Sequence, residues 1–233
     1  MTTFNGELYI KDQIDSILSQ LSKTDELIIS DDGSTDNTIS IIKNIDDDRI
    51  RLLFHEKKNE KYWFNYTTRN VEYALQHAKG EFIFLADQDD VWLPNKVSLM
   101  KSELYSCDLI VSNCNVTDNK LNITNYSYFD LIHSKRGIIH NILKNSYLGC
   151  CMAFKKELLS LFLPFPNGPI AHDIWIGLIA DKKSCVKFIE TPTLLYRRHE
   201  TCVSTSCKRS NSSLIFKIYY RVCIVISLIK HSI

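Results

Sequence analysis

An α/β protein built on a parallel sheet is predicted by three features of the sequence. Short apolar runs alternate with stretches of helical periodicity from the N-terminus to Pro94. Two of those runs end in acids, at Asp31-Asp32 and at Asp87, Asp89 and Asp90. Ligands in open sheets of this kind lie beyond the carboxyl ends of the strands, so both acidic loops are expected on one edge of the sheet.

The elements follow in order. Thr2 to Gly6 reads as the end of a strand and the turn after it. Ile10, Ile14, Ile17, Leu18 and Leu21 fall at helical spacing and make one apolar stripe. Glu26 to Ser30 is the next strand and runs into Asp31-Asp32-Gly33-Ser34-Thr35-Asp36, where glycine permits a tight turn and Ser34 or Thr35 can cap a helix. Ile39, Ile42 and Ile45 give that helix its buried side, and Arg49 to His55 is a third strand. Glu56 to Tyr66 is polar, charged and aromatic and reads as a loop, followed by a helix that ends at Gly80. Phe82 to Ala86 is a short apolar run bounded by turn signals, a buried strand. Later expectations are a helix to Leu104, a strand at Asp108 to Ser112, a surface segment from Asn113 to Arg136, and a short helix at Ile138 to Leu143. A strand at Cys150 to Phe154, a helix at Lys155 to Phe162 and a Pro-rich loop to Pro169 come next. A helix from His172 with Asp173 in its first turn precedes two strands, Val186 to Ile189 and Leu194 to Tyr196.

The stretch from Gly80 to Pro94 carries the strongest chemical signal. Three carboxylates within four residues repel one another, and burying them at the end of a core strand costs free energy unless a cation neutralises them. Asp-x-Asp places two hard oxygen ligands within reach of one divalent ion, and Mg²⁺ or Mn²⁺ suits such a site because it keeps open positions for substrate phosphates. A bare Asp-x-Asp is more often a solvated turn, with Asp90 near the cap of the next helix. The strand before it and the second acidic loop upstream reverse those odds.

At 233 residues the chain is long enough for a substantial core, and its formal net charge of +1 gives no general attraction to nucleic acid. The eight cysteines show no Cys-x-x-Cys pair and are read as reduced thiols in a cytoplasmic protein, since the polar N-terminus has no apolar signal segment. His199, Cys202 and Cys207 suggest a soft metal site, but no fourth ligand is evident and an incidental loop is favoured. The tail, Leu214 to Ile229, is apolar with Lys217 and Arg221, too short to span a bilayer in its uncharged part. It suits either a helix packed on the domain or an amphipathic helix lying in the membrane interface.

Taken together, Thr3-Phe-Asn-Gly-Glu7, Glu26 to Asp36, Ala78 to Phe82 and Asp87-Gln-Asp-Asp-Val-Trp-Leu-Pro94 resemble the family 2 glycosyltransferases. Gly149 to Phe154, His172-Asp-Ile-Trp-Ile-Gly177 and Tyr196-Arg-Arg-His199 resemble its bacterial, rhamnosyltransferase-like branch. The resemblance covers residues 2 to 206 and implies a GT-A fold: a Rossmann-like, mixed and mostly parallel sheet flanked by helices. It implies one domain over residues 1–206 with a tail at 207–233. It also implies inverting transfer of a sugar from a UDP- or dTDP-linked donor to an acceptor hydroxyl of a surface polysaccharide or lipid-linked glycan, at the inner face of the membrane. By position, Thr3, Phe4 and Glu7 would line the nucleotide pocket, and Asp31 or Asp32, preferably Asp32, would accept from the base. Asp87 would face the ribose or the metal, Asp89 would bind the metal, Asp173 would be the general base, and Arg198 and His199 would lie near the diphosphate.

The chain departs from the family at its start, where only Met1 and Thr2 precede the first turn, and at Glu56 to Arg69, where Lys57, Lys58 and Lys61 match no family position. An apolar strand added ahead of Thr2 is expected to raise stability. The alternative function is an inactive nucleotide-sugar-binding pseudoenzyme or truncated fragment. A sugar nucleotidyltransferase ranks lower, because Thr2 to Glu7 lacks the Gly-rich basic phosphate loop such enzymes carry.

Overall fold

The computed structural model describes residues 1–200, 202 and 212–231. Cys207 and the expected boundary at 206/207 lie outside the described residues.

The N-terminal part is a parallel three-stranded sheet in the order β1 (Thr2–Thr3), β2 (Leu27–Asp31), β3 (Ile50–Phe54). Helix α1 (Ile10–Leu18) follows β1 and buries Ile10, Ile14 and Ile17, a stripe at i, i+4 and i+7. Each such side chain contributes about 2 kcal/mol by leaving water. The helix stops before Leu21, which is only half-buried. Helix α2 (Thr38–Lys43) joins β2 to β3, and α3 (Trp63–Gln76) follows β3. Residues 63–66, expected as loop, already belong to α3.

The next strands form a second, mixed sheet. They are β4 (Phe82–Phe84), β5 (Val91–Trp92), β6 (Leu109–Thr117), β7 (Ile123–Asn125), β8 (Met152–Lys155) and β9 (Val186–Arg197). Their order is β4-β8-β6-β9-β5, with β7 on β6. The parallel pairing expected at Phe82 to Ala86 is not what forms: β4 runs antiparallel to β8, with Phe82 opposite Lys155. An apolar run reports burial and not partner, so the sequence carried no information on this pairing. The two sheets meet where the Thr2 N–H donates to Ala86 O at 3.4 Å. Both acidic loops therefore do emerge at one edge.

The two late strands are one. β9 runs through Pro192 because its parallel ladder with β6 shifts register between Ser112 and Asn113, and proline costs no hydrogen bond at an irregularity. The segment after Ser112 is not all surface: β6 continues to Thr117, and α5 (Tyr128–Ile132) buries Tyr128 and Phe129. Helices α4 (Lys96–Leu104), α6 (Ile138–Leu143), α7 (Leu159–Phe162) and α8 (His172–Lys183) complete the layers. Lys96 is fully buried, its Nζ donating to Cys150 O at 3.1 Å and Thr193 Oγ1 at 3.0 Å.

The expectation of eight free thiols fails at one pair. Cys107 and Cys185 form a disulfide, their Cα atoms 5.0 Å apart. They precede the paired starts of β6 and β9, where Leu109 faces Val186, so the parallel register sets them side by side. Cys114, Cys150, Cys151, Cys202 and Cys223 are free.

Helix α9 (Leu214–Lys230) docks on the domain through Ile224 and Leu228, and Arg221 Nη2 donates to Leu143 O at 2.7 Å. Leu214, Ile215, Ile218, Val225 and Ile229 stay exposed along its outer face. Among the described residues, no helix is long and apolar enough to cross a membrane.

Candidate active site

The turn between β1 and α1 and the loop after β2 are stitched together by side chains. Ser34 Oγ accepts from Asn5 N at 2.9 Å, Asn5 Oδ1 accepts from Thr35 N at 2.8 Å, and Glu7 Oε2 accepts from Asn37 N at 2.9 Å. Asp31 is consumed by this turn: its carboxylate accepts from Gly33 N at 2.9 Å, Ser34 N at 2.9 Å and Ser34 Oγ at 2.5 Å. Gly33 sits at φ 83°, which the turn requires. Asp31 is buried away from the cleft, whereas Asp32 lines it.

Asp32 has partners the sequence did not reveal. His55 Nδ1 lies 2.8 Å from its Oδ1, and Lys57 Nζ lies 3.6 Å from its Oδ2. Lys57 also covers the Phe4 ring at 3.9 Å and the Tyr66 ring at 4.8 Å. Lys57, unplaced from sequence, thus closes one side of a pocket with an aromatic floor and a carboxylate wall. Such a pocket takes a flat heterocycle bearing an N–H donor.

The second acidic loop lies beside it. Gln88 bridges the two loops, its Oε1 accepting from Phe4 N at 2.8 Å and from Thr3 Oγ1 at 2.6 Å, its Nε2 donating to Phe4 O at 3.1 Å. Asp87 and Asp89 line the cleft floor. Burial, with the charges of Asp89 and Asp173, pushes the Asp87 carboxyl up to about 7. Asp90 is fully buried, and burial reinforced by Asp89 and Asp87 pushes it well above the carboxylate range. It is no helix cap: its Oδ1 accepts from Arg197 N at 3.1 Å.

Arg197 is the residue that sequence reasoning missed. It is buried at the end of β9, with Nε donating to Asp89 O at 2.8 Å, Nη1 to Asn119 O at 2.9 Å and Nη2 to Asp12 Oδ2 at 3.2 Å. Its guanidinium lies over the Tyr9 ring at 4.6 Å. This fixes the residues that follow. Arg198 Nη1 donates to Tyr196 OH at 2.9 Å, and His199 Nε2 meets Asp89 Oδ2 at 2.7 Å.

Asp173 faces these groups from the first turn of α8. Its Oδ1 accepts from Ile174 N at 2.7 Å and its Oδ2 from Asn145 Nδ2 at 3.3 Å, and burial raises its pKa. Burial lowers the pKa of the adjacent His172, keeping that imidazole neutral.

One cleft of about 1080 Å³ is lined by Thr3, Phe4, Glu7, Asp32, Asp87, Asp89, Asp173, Arg198 and His199. Of the expected site residues only Asp31 is absent from its walls. The donor set fits a divalent cation. Asp87 and Asp89 are hard oxygen donors whose mutual repulsion a cation would relieve, and His199 brings a borderline nitrogen against Asp89.

A family model described as "Glycosyl transferase family 2" matches residues 1–162. The UDP-Glc:alpha-D-GlcNAc-diphosphoundecaprenol beta-1,3-glucosyltransferase WfgD of Escherichia coli is 30% identical over 184 residues, 78% of this chain and 68% of that protein. The dTDP-rhamnosyl transferase RfbG of Shigella flexneri is 26% identical over 248 residues, 95% of this chain and 81% of that protein. Among solved structures, S. aureus TarS 1-349 in complex with UDP-GlcNAc superposes with a TM-score of 0.71 at 17% identity, over 97% of this chain and 64% of that chain. The mannosyltransferase PcManGT of Pyrobaculum calidifontis, in complex with GDP-Man and Mn2+, superposes with a TM-score of 0.57 at 20% identity, over 84% of this chain and 55% of that chain. This chain thus spans less than two thirds of either solved chain. The architecture they share is the GT-A fold.

Proposed function

Because the chain belongs to the family 2 glycosyltransferases, we propose that it is an inverting transferase moving a sugar from a UDP- or dTDP-linked donor to an acceptor hydroxyl of a lipid-linked glycan or surface polysaccharide. The observation that carries this reading is the one cleft that Phe4, Asp32, Asp87, Asp89 and Asp173 line together. The relatives add the substrate class: one is named for a diphosphoundecaprenol-linked acceptor and a UDP-glucose donor, another for dTDP-rhamnose. Residues 1–206 are assigned to the transferase unit and 207–233 to a tail.

The roles follow from position. The base stacks on Phe4 and gives an N–H to Asp32, which His55 and Lys57 hold in place. Thr3 and Glu7 support the ribose side of the pocket. Asp89 and His199 would hold a divalent ion, with Asp87 beside them, and that ion would supply electrostatic stabilisation of the departing diphosphate. Arg198 adds a fixed positive charge on the same side. Asp173, with its proton affinity raised by burial, takes the proton of the acceptor hydroxyl as that oxygen attacks the anomeric carbon. The bond from that carbon to the diphosphate oxygen breaks, and its electron pair leaves with the diphosphate. One displacement inverts the configuration.

Calorimetric titration of UDP and dTDP, with and without Mn²⁺, on this chain and on Asp89→Ala tests the reading. The expected result is metal-dependent binding that Asp89→Ala abolishes. No binding by a folded chain would favour an inactive relative of these enzymes.

A further inference from the structure

We propose that Cys202 is a third protein ligand in the metal site, so that Asp89, His199 and Cys202 form a mixed oxygen, nitrogen and sulfur centre. Such a centre takes a thiophilic divalent ion, Zn²⁺ or Co²⁺, ahead of Mg²⁺. The inference rests on the metal site of the function proposed above and goes beyond it in naming the ligand and the class of ion.

The geometry is convergent. One ligand atom from each of the three residues lies within 4.8 Å of the other two. Cys202 Sγ is 4.0 Å from the same Asp89 Oδ2 that His199 Nε2 approaches at 2.7 Å. With metal–oxygen and metal–nitrogen bonds of about 2.0 Å and a metal–sulfur bond of about 2.3 Å, tetrahedral ligands stand roughly 3.3–3.5 Å apart. The nitrogen and oxygen must separate, and the sulfur and oxygen approach, by about an ångström or less. Side-chain rotation supplies such a change without moving the backbone.

The turn that brings the sulfur in is built for it. His199 and Cys202 are three residues apart, and Cys202 N donates back to His199 O at 3.4 Å. The His199 N–H in turn donates to Cys202 Sγ at 3.3 Å. A backbone N–H aimed at sulfur offsets part of the cost that burial imposes on a thiolate, the form a metal binds. The thiol now points toward Arg197 O at 3.7 Å, so its proton has an acceptor until a metal displaces it. The start of the turn is anchored: the buried Arg197 fixes the chain before it, and Tyr9 lies against the His199 ring at 4.7 Å. Two carboxylates and waters suit Mg²⁺ or Mn²⁺, whereas one thiolate and one imidazole shift preference toward Zn²⁺ and Co²⁺.

Titration of the chelator-stripped chain with Co²⁺ alone, followed in the near ultraviolet, tests this. A thiolate-to-cobalt charge-transfer band should saturate at one equivalent. It should disappear in Cys202→Ser and in Cys202→Asp, and persist in Cys223→Ser. Competition with Zn²⁺ should bleach the band, and the apparent Zn²⁺ affinity should fall at least roughly tenfold in Cys202→Ser. The Cys202→Asp variant keeps a ligand at this position, so retained Co²⁺ binding without the band shows a folded site that has lost only sulfur. A band that survives Cys202→Ser, or Co²⁺ binding to the unaltered chain without any band, overturns the proposal. Mn²⁺-dependent UDP binding by the unaltered chain is read separately. If it is present without a cobalt–thiolate band, the transferase reading stands and Cys202 falls. A band without UDP binding keeps Cys202 as a metal ligand and removes the nucleotide site.

Discussion

The backbone N–H of Arg197 donates to Oδ1 of Asp90 at 3.1 Å, closing a loop across 107 positions of sequence. The same arginine donates through Nε to the carbonyl of Asp89, so the last strand of the sheet holds the acidic loop from both sides. Arg197→Ala takes the donor from the half-buried carbonyl of Asp89 and from that of Asn119, and leaves a void where a buried side chain stood. The expected loss is about 2–3 kcal/mol, or roughly 4–12 °C in Tm for a domain of this size. Thermal melts of the two proteins check it, and Arg197→Lys should recover only part, because an ammonium cannot replace the fork. A melting point unchanged by Arg197→Ala would show that the clamp is incidental.

Asp31 and Asp32 are neighbours with opposite destinies. Asp31→Ala removes three hydrogen bonds that shape the turn and should cost stability, about 2 kcal/mol. Asp32→Ala breaks the pairings with His55 and Lys57 and should cost less stability than Asp31→Ala, while UDP affinity falls roughly tenfold or more, the cost of one charge-assisted hydrogen bond. Paired melts and calorimetry separate the two; equal effects on both measurements would refute the division of roles.

Asp173 carries a stability cost at neutral pH. Burial raises its folded pKa above the unfolded value, so the unfolded chain releases this proton first as pH rises. The deficit is absent below about pH 4, where both states are protonated, and grows as pH climbs toward the folded pKa. Asp173→Asn should therefore raise Tm at pH 7 by roughly 2–4 °C, with no gain in acid, while abolishing transfer. The rate for the unaltered chain should rise with pH through a pKa above the ordinary aspartate value. A variant that melts lower at pH 7 would argue that contacts of this carboxylate in the folded state outweigh the cost of burying it.

Gly177 lies in the interior of α8, where alanine would ordinarily add about 1 kcal/mol of helix propensity. Here a Cβ would fall on the Tyr147 ring, well inside van der Waals contact. That ring is buried, and its hydroxyl donates to Asp181 Oδ2 at 2.5 Å, so it has no room to swing away. Overpacking of this kind should outweigh propensity, and Gly177→Ala is expected to lower Tm by roughly 2–8 °C. A rise in Tm would mean that Tyr147 moves more freely than its burial suggests.

Much of this molecule was legible because its signals are local. The stripe at Ile10, Ile14 and Ile17, the strand at Leu27 to Asp31 and the turn at Gly33 follow from periodicity and from the φ that glycine permits. The placement of both acidic loops beyond strand ends brought most of the expected side chains into one cleft. Long-range facts were not written locally. Nothing in Phe82 to Phe84 names Lys155 to Ala153 as its antiparallel partner. β9 read as two strands, Val186 to Ile189 and Leu194 to Tyr196, because the register shift that lets it continue through Pro192 lies in its pairing with β6. A lysine predicts a wet surface, and only the assembled core shows Lys96 answered by Cys150 and Thr193. Arg197, next to Arg198 in a basic run, looked like loop until the sheet turned it inward.

The junction between the two sheets has a final implication. Among the described residues one long backbone-to-backbone hydrogen bond, from Thr2 to Ala86, joins a parallel half that holds Phe4 and Asp32 to a mixed half that holds Asp89 and Asp173, and side chains such as Gln88 and a shared apolar core bind the two across it. A molecule bound across the cleft touches both sides of that junction and acts as a rivet. Its binding energy is then also cohesion, because a ligand held only by the assembled form shifts the folding balance toward it by mass action. The cleft and the junction of the two sheets run side by side, and occupancy of the first tightens the second.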